Sequence, residues 1–304
     1  MAPTYATASV KPGPLGTCAL TILDKDCGLA HGVAGGSTFA SVIEQRVGPG
    51  QPARKHLGPI QYEPFEIEFG FAMRKPLFDW IGESWTGKVD RKHGSVFACD
   101  ENMEIRAERT FVEAMITETT IPALDIESRE TAWLAVKIAA EMVENKTASG
   151  KYRGADPRNP EKIFHAAGFE LEIDGLDCSK VARIESFTVR QTIAREGLGF
   201  SQHRVTLEPG ELHFPDLSLT LAEVSADSWL KWFDDFVVKG NCEDQHEKKG
   251  VLTLLNDNRQ PLAHIRLSQV GIHRLGAIDA ASAKDRHKLA TAGLYCESME
   301  FEIV

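Results

Sequence analysis

Apolar and polar residues alternate along several stretches of this chain. The alternation is strict at 169–174, where every second residue is apolar and the others are acidic, and it recurs at 65–69, 187–193 and 217–221. Successive side chains of a β-strand point to opposite faces, so each stretch predicts a strand with one apolar and one polar face. Such strands fit a sheet with one wetted side or a barrel around a water-filled lumen.

Two aromatic segments have helical spacing instead. Pro76 fits the first turn of the first segment, where the missing N–H of proline costs no hydrogen bond. Apolar residues follow at intervals of three or four positions, which predicts a helix with one apolar stripe. We interpret each stripe as a helix that covers the open end of a small barrel rather than as an aromatic ligand box. The packing residues are Trp80, Trp85, Trp229, Trp232 and Phe236.

The later part of each half predicts further strands. A β-hairpin is predicted from 250–255 to 262–267 around a turn at 256–259. The stretch 131–143 carries two signals, because its Ala, Glu and Lys content favours a helix whereas its apolar residues alternate. We predict a strand there, since the corresponding end of the chain at 299–303 alternates without ambiguity.

The predicted elements recur in the same order in the two halves of the chain. The matching segments are offset by 151 to 156 residues: 20–27 with 171–178, 62–69 with 214–221, 77–80 with 229–232, and 92–97 with 248–253. Each match is weak by itself, but an offset that drifts so little over a common order predicts an internal duplication.

The duplication divides the chain into two predicted tandem domains, 1–146 and 163–304. Between them, 147–162 contains two prolines, two glycines and mixed charges without apolar periodicity, which is typical of a linker. The predicted fold class is mainly β with one short helix per domain (α+β), each domain being a β-barrel or sandwich.

Composition excludes several classes of protein. Hydrophobic residues make up 42% and charged residues 26%, as in ordinary soluble globular proteins. The chain has no apolar run long enough for a transmembrane helix, and 1–16 lacks the basic and apolar regions of a secretory signal, so we expect synthesis in a cytoplasm. The net charge of −10 argues against a protein that coats nucleic acid but is compatible with a conduit along which nucleic acid slides.

The sequence predicts no catalytic, cofactor or metal site. The glycine cluster at 34–38 lacks the phosphate-binding patterns and is interpreted as a turn. Cys242 and His246 come closest to a metal-ligand spacing, but they stand alone in a charged loop. A Ser/His/Asp set stays open because triads are defined in space, yet no GxSxG segment exposes a nucleophile. We therefore expect a protein that is not an enzyme.

The order of these parts resembles the tail tube family of contractile-tailed phages and related contractile injection systems, which is also similar to the type VI secretion tube. The residues that carry the resemblance are 169–175 (Phe-Glu-Leu-Glu-Ile-Asp-Gly), 229–236 and 249–258, with 75–81 and 94–100 in the first half. The first half departs from the pattern, because it has Ile22-Leu-Asp24 where the second has Ile-Asp-Gly.

The resemblance implies six such domains in a ring and rings that stack into a tube inside a sheath. Because two tail-tube-like domains are joined here, three chains would close one pseudo-hexameric ring. A loop between the early strands, at 46–57 and 194–207, would reach the neighbouring ring. The expected inter-ring contact residues are Arg46, Arg54, Lys55, His56, Arg195 and Glu196.

The partners implied by the resemblance are further copies of the chain, sheath and baseplate proteins, and DNA or an effector in transient passage through the lumen, without a membrane. The particle would be a virion tail or injection device assembled in the host bacterial cytoplasm. One alternative is a tube-end adaptor on the same barrel: a tube initiator, baseplate hub or terminator. Another is a two-domain β-barrel enzyme or ligand-binding protein with a polar cleft between the copies.

Overall fold

The chain is mainly β, as predicted, with one α-helix in each half. The computed structural model describes residues 17–45, 48, 53–154, 162–197, 205–222, 226–277 and 289–304, and the side chains of all of these except 195–197, 205 and 277. We refer to 17–154 as the first half and to 162–304 as the second half.

The first half contains eleven strands and one helix: β1 (Thr17–Ile22), β2 (Lys25–Ala30), β3 (Gly32–Gly35), β4 (Thr38–Gln45), β5 (Arg54–Tyr62), β6 (Phe65–Phe69), α1 (Lys75–Trp85), β7 (Lys92–Cys99), β8 (Ile105–Ile121), β9 (Leu124–Asp125), β10 (Leu134–Ala139) and β11 (Met142–Lys146), counted within the described residues. The second half contains β12 (Phe164–Ile173), β13 (Val181–Ile184), β14 (Phe187–Gly197), β15 (Val205–His213), β16 (Leu217–Ala222), α2 (Asp227–Phe233), β17 (Lys248–Asn256), β18 (Pro261–Ala277) and β19 (Leu289–Ile303). Helix α2 continues as a π-helical turn at Asp234–Val238.

Both halves build an antiparallel sheet with the same strand order. In the first half β1, β7, β8, β10, β6 and β3 lie side by side, and in the second half β12, β17, β18, β19, β16 and β13 do so. Strand β2 extends the first sheet beyond β1. At the other end, β9 of the first half extends the second sheet beyond β13. The second sheet is therefore completed by a strand from the first half.

The pairing register repeats together with the strand order. Ile22 lies opposite Gly94 in the first sheet, and Ile173 lies opposite Gly250 in the second. Further equivalent pairs are Gly94–Phe111 with Gly250–Leu267, Val136–Ile67 with Ala292–Leu219, and Ile138–Ile116 with Leu294–Ile272. Residues offset by 151 to 156 positions thus occupy the same places in the two sheets, and we call such residues counterparts.

The aromatic residues of both helices lie in the core, as their spacing predicted. All five are buried: Trp80, Trp85, Trp229, Trp232 and Phe236. The ammonium of Lys92 lies 6.0 Å from the ring centre of Trp80, and that of its counterpart Lys248 lies 5.4 Å from Trp232. The same cation–π contact therefore recurs in both halves. Neither described helix is long and apolar enough to cross a membrane.

Most buried apolar side chains of the two halves form one contiguous core. Helix α1 packs on β2 and β8 of its own half and also on β19 of the second half. It therefore lies between the halves instead of covering the end of one barrel. The ambiguous stretch 131–143 forms β10 and the start of β11, so the repeat, and not helix propensity, predicted it correctly.

The described part of the predicted linker is bound to the first half. Lys151 pairs with Glu104, and the backbone N–H of Tyr152 donates to the carbonyl of Met103 at 2.8 Å. The hydroxyl of Tyr152 donates to the carboxylate of Asp26. These contacts make 151–152 part of the first half. The sequence did not predict this, because it shows where apolar periodicity is lost but not which hydrogen bonds the segment forms.

In each half a lysine is followed two residues later by a glycine, Lys92 by Gly94 and Lys248 by Gly250. The glycine of this Lys-x-Gly signature has a steric cause. A Cβ at Gly94 would collide with the carbonyl oxygen of Thr21 and the ring of Phe111, and one at Gly250 would lie 2.8 Å from the carbonyl oxygen of Glu172. We expect Gly94→Ala and Gly250→Ala each to lower the free energy of unfolding by about 1–3 kcal/mol in urea titrations, because the neighbouring strand must shift.

Gly48 provides the matched control, since a Cβ there meets nothing within 4 Å. The variant Gly48→Ala should stay within about 0.5 kcal/mol of the parent. If all three variants were equally stable, the steric explanation of the signature would be wrong.

Candidate assembly interface

The two halves of the chain are joined by strand pairing. The end of β8 pairs with the start of β14, with Thr120 opposite Thr188 and Glu118 opposite Arg190. The two threonine hydroxyls lie 2.9 Å apart, and the Glu118 carboxylate lies 3.8 Å from the Arg190 guanidinium. Pairing of β9 with β13 adds a second crossing. Backbone hydrogen bonds thus fill strand edges that would otherwise be open.

An aromatic contact reinforces this junction. The ring of Phe301 in β19 lies 6.3 Å from that of Phe78 and 5.6 Å from that of Trp85, both on α1. Phe71 and Phe164 form a second pair across the halves, with ring centres 5.5 Å apart and nearly perpendicular planes. All five rings are buried. Edge-to-face aromatic pairs add to the free energy gained from burial, so this contact holds the halves in one arrangement.

A polar cluster closes the junction on another side. Arg91 donates to the Glu141 carboxylate at 3.0 Å and to the carbonyl oxygen of Leu207 in β15 at 2.5 Å. The N–H of Leu207 donates to the same Glu141 oxygen at 2.9 Å. The Leu207 side chain is buried with Met115 and Ala139. We call Arg91, Glu141 and Leu207 the polar clamp, whose charge-assisted hydrogen bonds fix β15 against the first half.

The counterparts of these joined surfaces are open in the single chain. Strands β14 and β15 continue the first sheet through β8, whereas their counterparts β4 and β5 form a separate two-stranded sheet. On that hairpin Phe39, Val42 and Leu57 are 49%, 58% and 76% exposed. A two-stranded hairpin is marginally stable alone in water, so an exposed apolar hairpin indicates a surface that binds a partner.

The expected inter-ring residues lie on these hairpins and not in extended loops. Arg54, Lys55 and His56 are in β5, and the Lys55 ammonium lies 3.1 Å from the Glu44 carboxylate on β4. The loop interpretation was wrong for these residues because their backbone groups pair with β4. Arg195 and Glu196 lie in β14 opposite Leu207 and Thr206, with side chains outside the described set, and Arg46 lies outside the described residues.

The site offers little reactive chemistry. Among the described residues, no group of three or more His, Cys, Asp or Glu could hold a metal ion. Burial raises the pKa of the Cys27 and Cys296 thiols to about 12 and that of Cys178 to about 11. These thiols therefore stay protonated near neutral pH, where only the thiolate is a nucleophile. Cys242 is exposed.

Sequence reasoning missed the residues that join the halves. Phe78, Phe301 and Arg91 carry no local motif that separates a junction residue from a core or surface residue. One signal was present: Phe78 and Trp85 have Leu230 and Val237 as counterparts, so the two helices differ on one face. Such a difference between copies indicates that their surroundings differ.

The family model of the T4-like virus tail tube protein gp19 matches residues 28–144. Similar solved structures include the sheath–tube complex of an extracellular contractile injection system, PVC, in the extended state (23% identity, TM-score 0.39, covering 49% of this chain and 100% of that chain). The tube-terminating cap of the anti-feeding prophage has 23% identity and a TM-score of 0.39, covering 49% of this chain and 95% of that chain. Hcp1 from Flavobacterium johnsoniae has 18% identity and a TM-score of 0.28, covering 45% and 99%. No curated protein matches the chain.

The aromatic contact between the halves can be tested by truncation. We expect Phe301→Ala to lower the free energy of unfolding by about 3–5 kcal/mol, because it removes a buried ring from between Phe78 and Trp85. The neighbouring Glu302→Ala removes an exposed side chain whose ion pair with Arg266 contributes at most about 1 kcal/mol. Urea titrations of both variants measure the difference, and equal losses would contradict the assigned role of Phe301.

Proposed function

Because residues 28–144 match the family model of the T4-like virus tail tube protein gp19, we propose that the chain is a structural subunit of the tail tube of a phage or a related contractile injection system. It acts by self-assembly into rings that stack to form a conduit, through which DNA or an effector passes. The family match carries the proposal. The mainly β fold and the exposed hairpin of β4 and β5 support it, and catalysis has no part in it.

The second half supplies a second tube domain in this proposal. The common strand order and the register that repeats residue by residue support a tandem duplication, with domains at 1–146 and 163–304 around 147–162. If the family ring contains six domains, three chains close it as a pseudo-hexamer. The surrounding partners are sheath and baseplate proteins, and assembly takes place in the bacterial cytoplasm.

The number of chains in a ring is the first test. Light scattering and native mass spectrometry of purified rings should give about three times the chain mass of 33.5 kDa, and negative-stain images should show rings and tubes with three-fold symmetry. Six chains per ring would overturn the trimer, and a dispersed monomer at every concentration would overturn the tube subunit. Discrete rings that never lengthen would instead favour a tube-end adaptor.

Stacking of rings should depend on the basic end of the hairpin formed by β4 and β5. We expect Arg54→Glu to shorten the tubes while single rings persist, because exposed like charges then face the adjacent acidic ring. Electron microscopy at low and high salt measures tube length, and added salt should reduce the difference from the parent. The control Lys25→Glu changes an exposed lysine on β2. Tubes of parental length from the Arg54 variant would refute this role.

A further inference from the structure

Resting on the proposed self-assembly, we propose that neighbouring chains in a ring join through a second copy of the junction that joins the two halves of one chain. In the contact between chains, the second half of one chain has the role that the first half has in the junction within a chain. The first half of the next chain has the role of the second half. A head-to-tail contact that repeats in this way generates a closed ring of three chains when the rotation between successive chains is one third of a turn. The repeated register assigns the residues that meet.

The strand edges needed for this contact are free among the described residues. Within the chain, Val189 and Arg190 of β14 lie opposite Thr119 and Glu118 of β8. The counterpart segment of β8 is 274–277 in β18, which pairs with β19 alone because pairing with β17 stops at Val270. The counterpart of β14 is β4, which pairs only with β5.

The register therefore fixes the expected contact between chains. The bulge between Ala40 and Val42 matches the one between Gln191 and Ile193, so Ala40 is the counterpart of Gln191. Thr38 and Phe39 of one chain therefore lie opposite Leu275 and Arg274 of the next, extending the second sheet by β4 and β5. The hairpin thereby gains the third strand that a stable sheet needs. Strand β3 is the last strand of the first sheet, whereas its counterpart β13 pairs with β9. Among the described residues, the outer edge of β3 is therefore also unpaired.

The second helix exposes the apolar face that the first helix buries. Leu230 is 52% exposed and Val237 is 41% exposed, whereas their counterparts Phe78 and Trp85 are each 2% exposed. The first helix is covered by the second half of the same chain. By the same geometry, α2 and its π-helical turn are covered by the first half of the next chain.

Ala40 is the residue of β4 that meets this covered face. Its counterpart Gln191 is buried beside Trp80 and Ser84, around a small cavity at the junction. The counterparts of Trp80 and Ser84 are Trp232 and Phe236. In the contact between chains, the Ala40 methyl group takes the place of the Gln191 amide beside Phe236.

The polar clamp has a more acidic counterpart. Arg91 corresponds to Glu247, Glu141 to Glu297 and, because Leu207 pairs with Arg195 as Lys55 pairs with Glu44, Leu207 to Lys55. One Glu247 oxygen accepts a hydrogen bond from the Tyr295 hydroxyl at 2.6 Å, while the other is buried without a hydrogen-bond partner among the described residues. A buried carboxylate oxygen without a donor destabilises the protein.

A neighbouring chain would supply a donor to that oxygen. The register puts Lys55 of β5 in the place of Leu207, beside Glu247 and Glu297. A basic residue of one chain thus faces acidic residues of the next, which orients association. Lys55 is thereby assigned to the contact within a ring, while Arg54 at the hairpin end remains the candidate for contact between rings.

Cysteine pairing tests the register directly. We expect Thr38→Cys with Leu275→Cys, in a Cys242→Ser background, to give covalently linked chains up to trimers under oxidising conditions, because paired strand positions suit a disulfide. Non-reducing electrophoresis and mass spectrometry identify the linked cysteines. The control pair Leu23→Cys with Leu275→Cys places one cysteine on the β1–β2 turn, outside the interface, and should remain unlinked.

Charge insertion tests the apolar face. Leu230→Asp and Val237→Asp should each raise the concentration required for ring assembly at least about tenfold, while thermal unfolding of the single chain is unchanged because the two side chains are 52% and 41% exposed. Leu23→Asp is the matched control: Leu23 is 50% exposed, and its counterpart is Asp174.

The outcomes separate this inference from the proposed function. If the parent forms no ring or tube, the tube subunit is refuted. If rings form, but both charge variants assemble as readily as Leu23→Asp and the Thr38–Leu275 pair does not link chains, the interface is refuted and the tube subunit stands.

Discussion

Backbone hydrogen bonding at the strand edges is the constraint on which this structure depends. A sheet edge leaves N–H and C=O groups unpaired, and those groups must bind water or another strand. Within the chain, the end of β8 and the outer edge of β13 are filled by strands of the opposite half. The counterpart edges at β18 and β3 find no strand among the described residues. One chain thus contains both the completed junction and its two unfilled sides.

The halves share a frame and differ on their surfaces. Register, the glycine two residues after the first lysine of β7 and β17, and that lysine over a tryptophan ring are the same in both. The differences concentrate where one half meets the other: Phe78 against Leu230, Leu207 against Lys55, and Arg91 against Glu247. A contact inside a chain is permanent, whereas a contact between chains must form from soluble subunits. Large buried aromatic residues suit the first, and smaller apolar residues with complementary charges suit the second.

The fold was largely predictable from the sequence because alternation and helical spacing record which side chains are buried. Even 131–143 was assigned correctly, since its counterpart 299–303 lacked the helix signal. The site was not predictable in the same way. Arg54 and His56 were expected in a loop, yet they lie in a strand, because prolines and glycines nearby indicated a turn without fixing where pairing resumes. Phe301 alternates like any core residue, and no pattern states that it packs on a helix of the other half.

Joining two tube domains in one chain changes the thermodynamics of ring closure. In a ring of six domains, fusion makes every second junction intramolecular, so its effective concentration is set by the connecting segment and not by the amount of protein. Only the three junctions between chains then depend on concentration. The fused junction can therefore acquire a large aromatic core without causing unwanted polymers, because it forms once, during folding. The other junction must stay weak enough for single chains to remain dispersed, and the half-exposed Leu230 and Val237 have the partial exposure that such a contact requires.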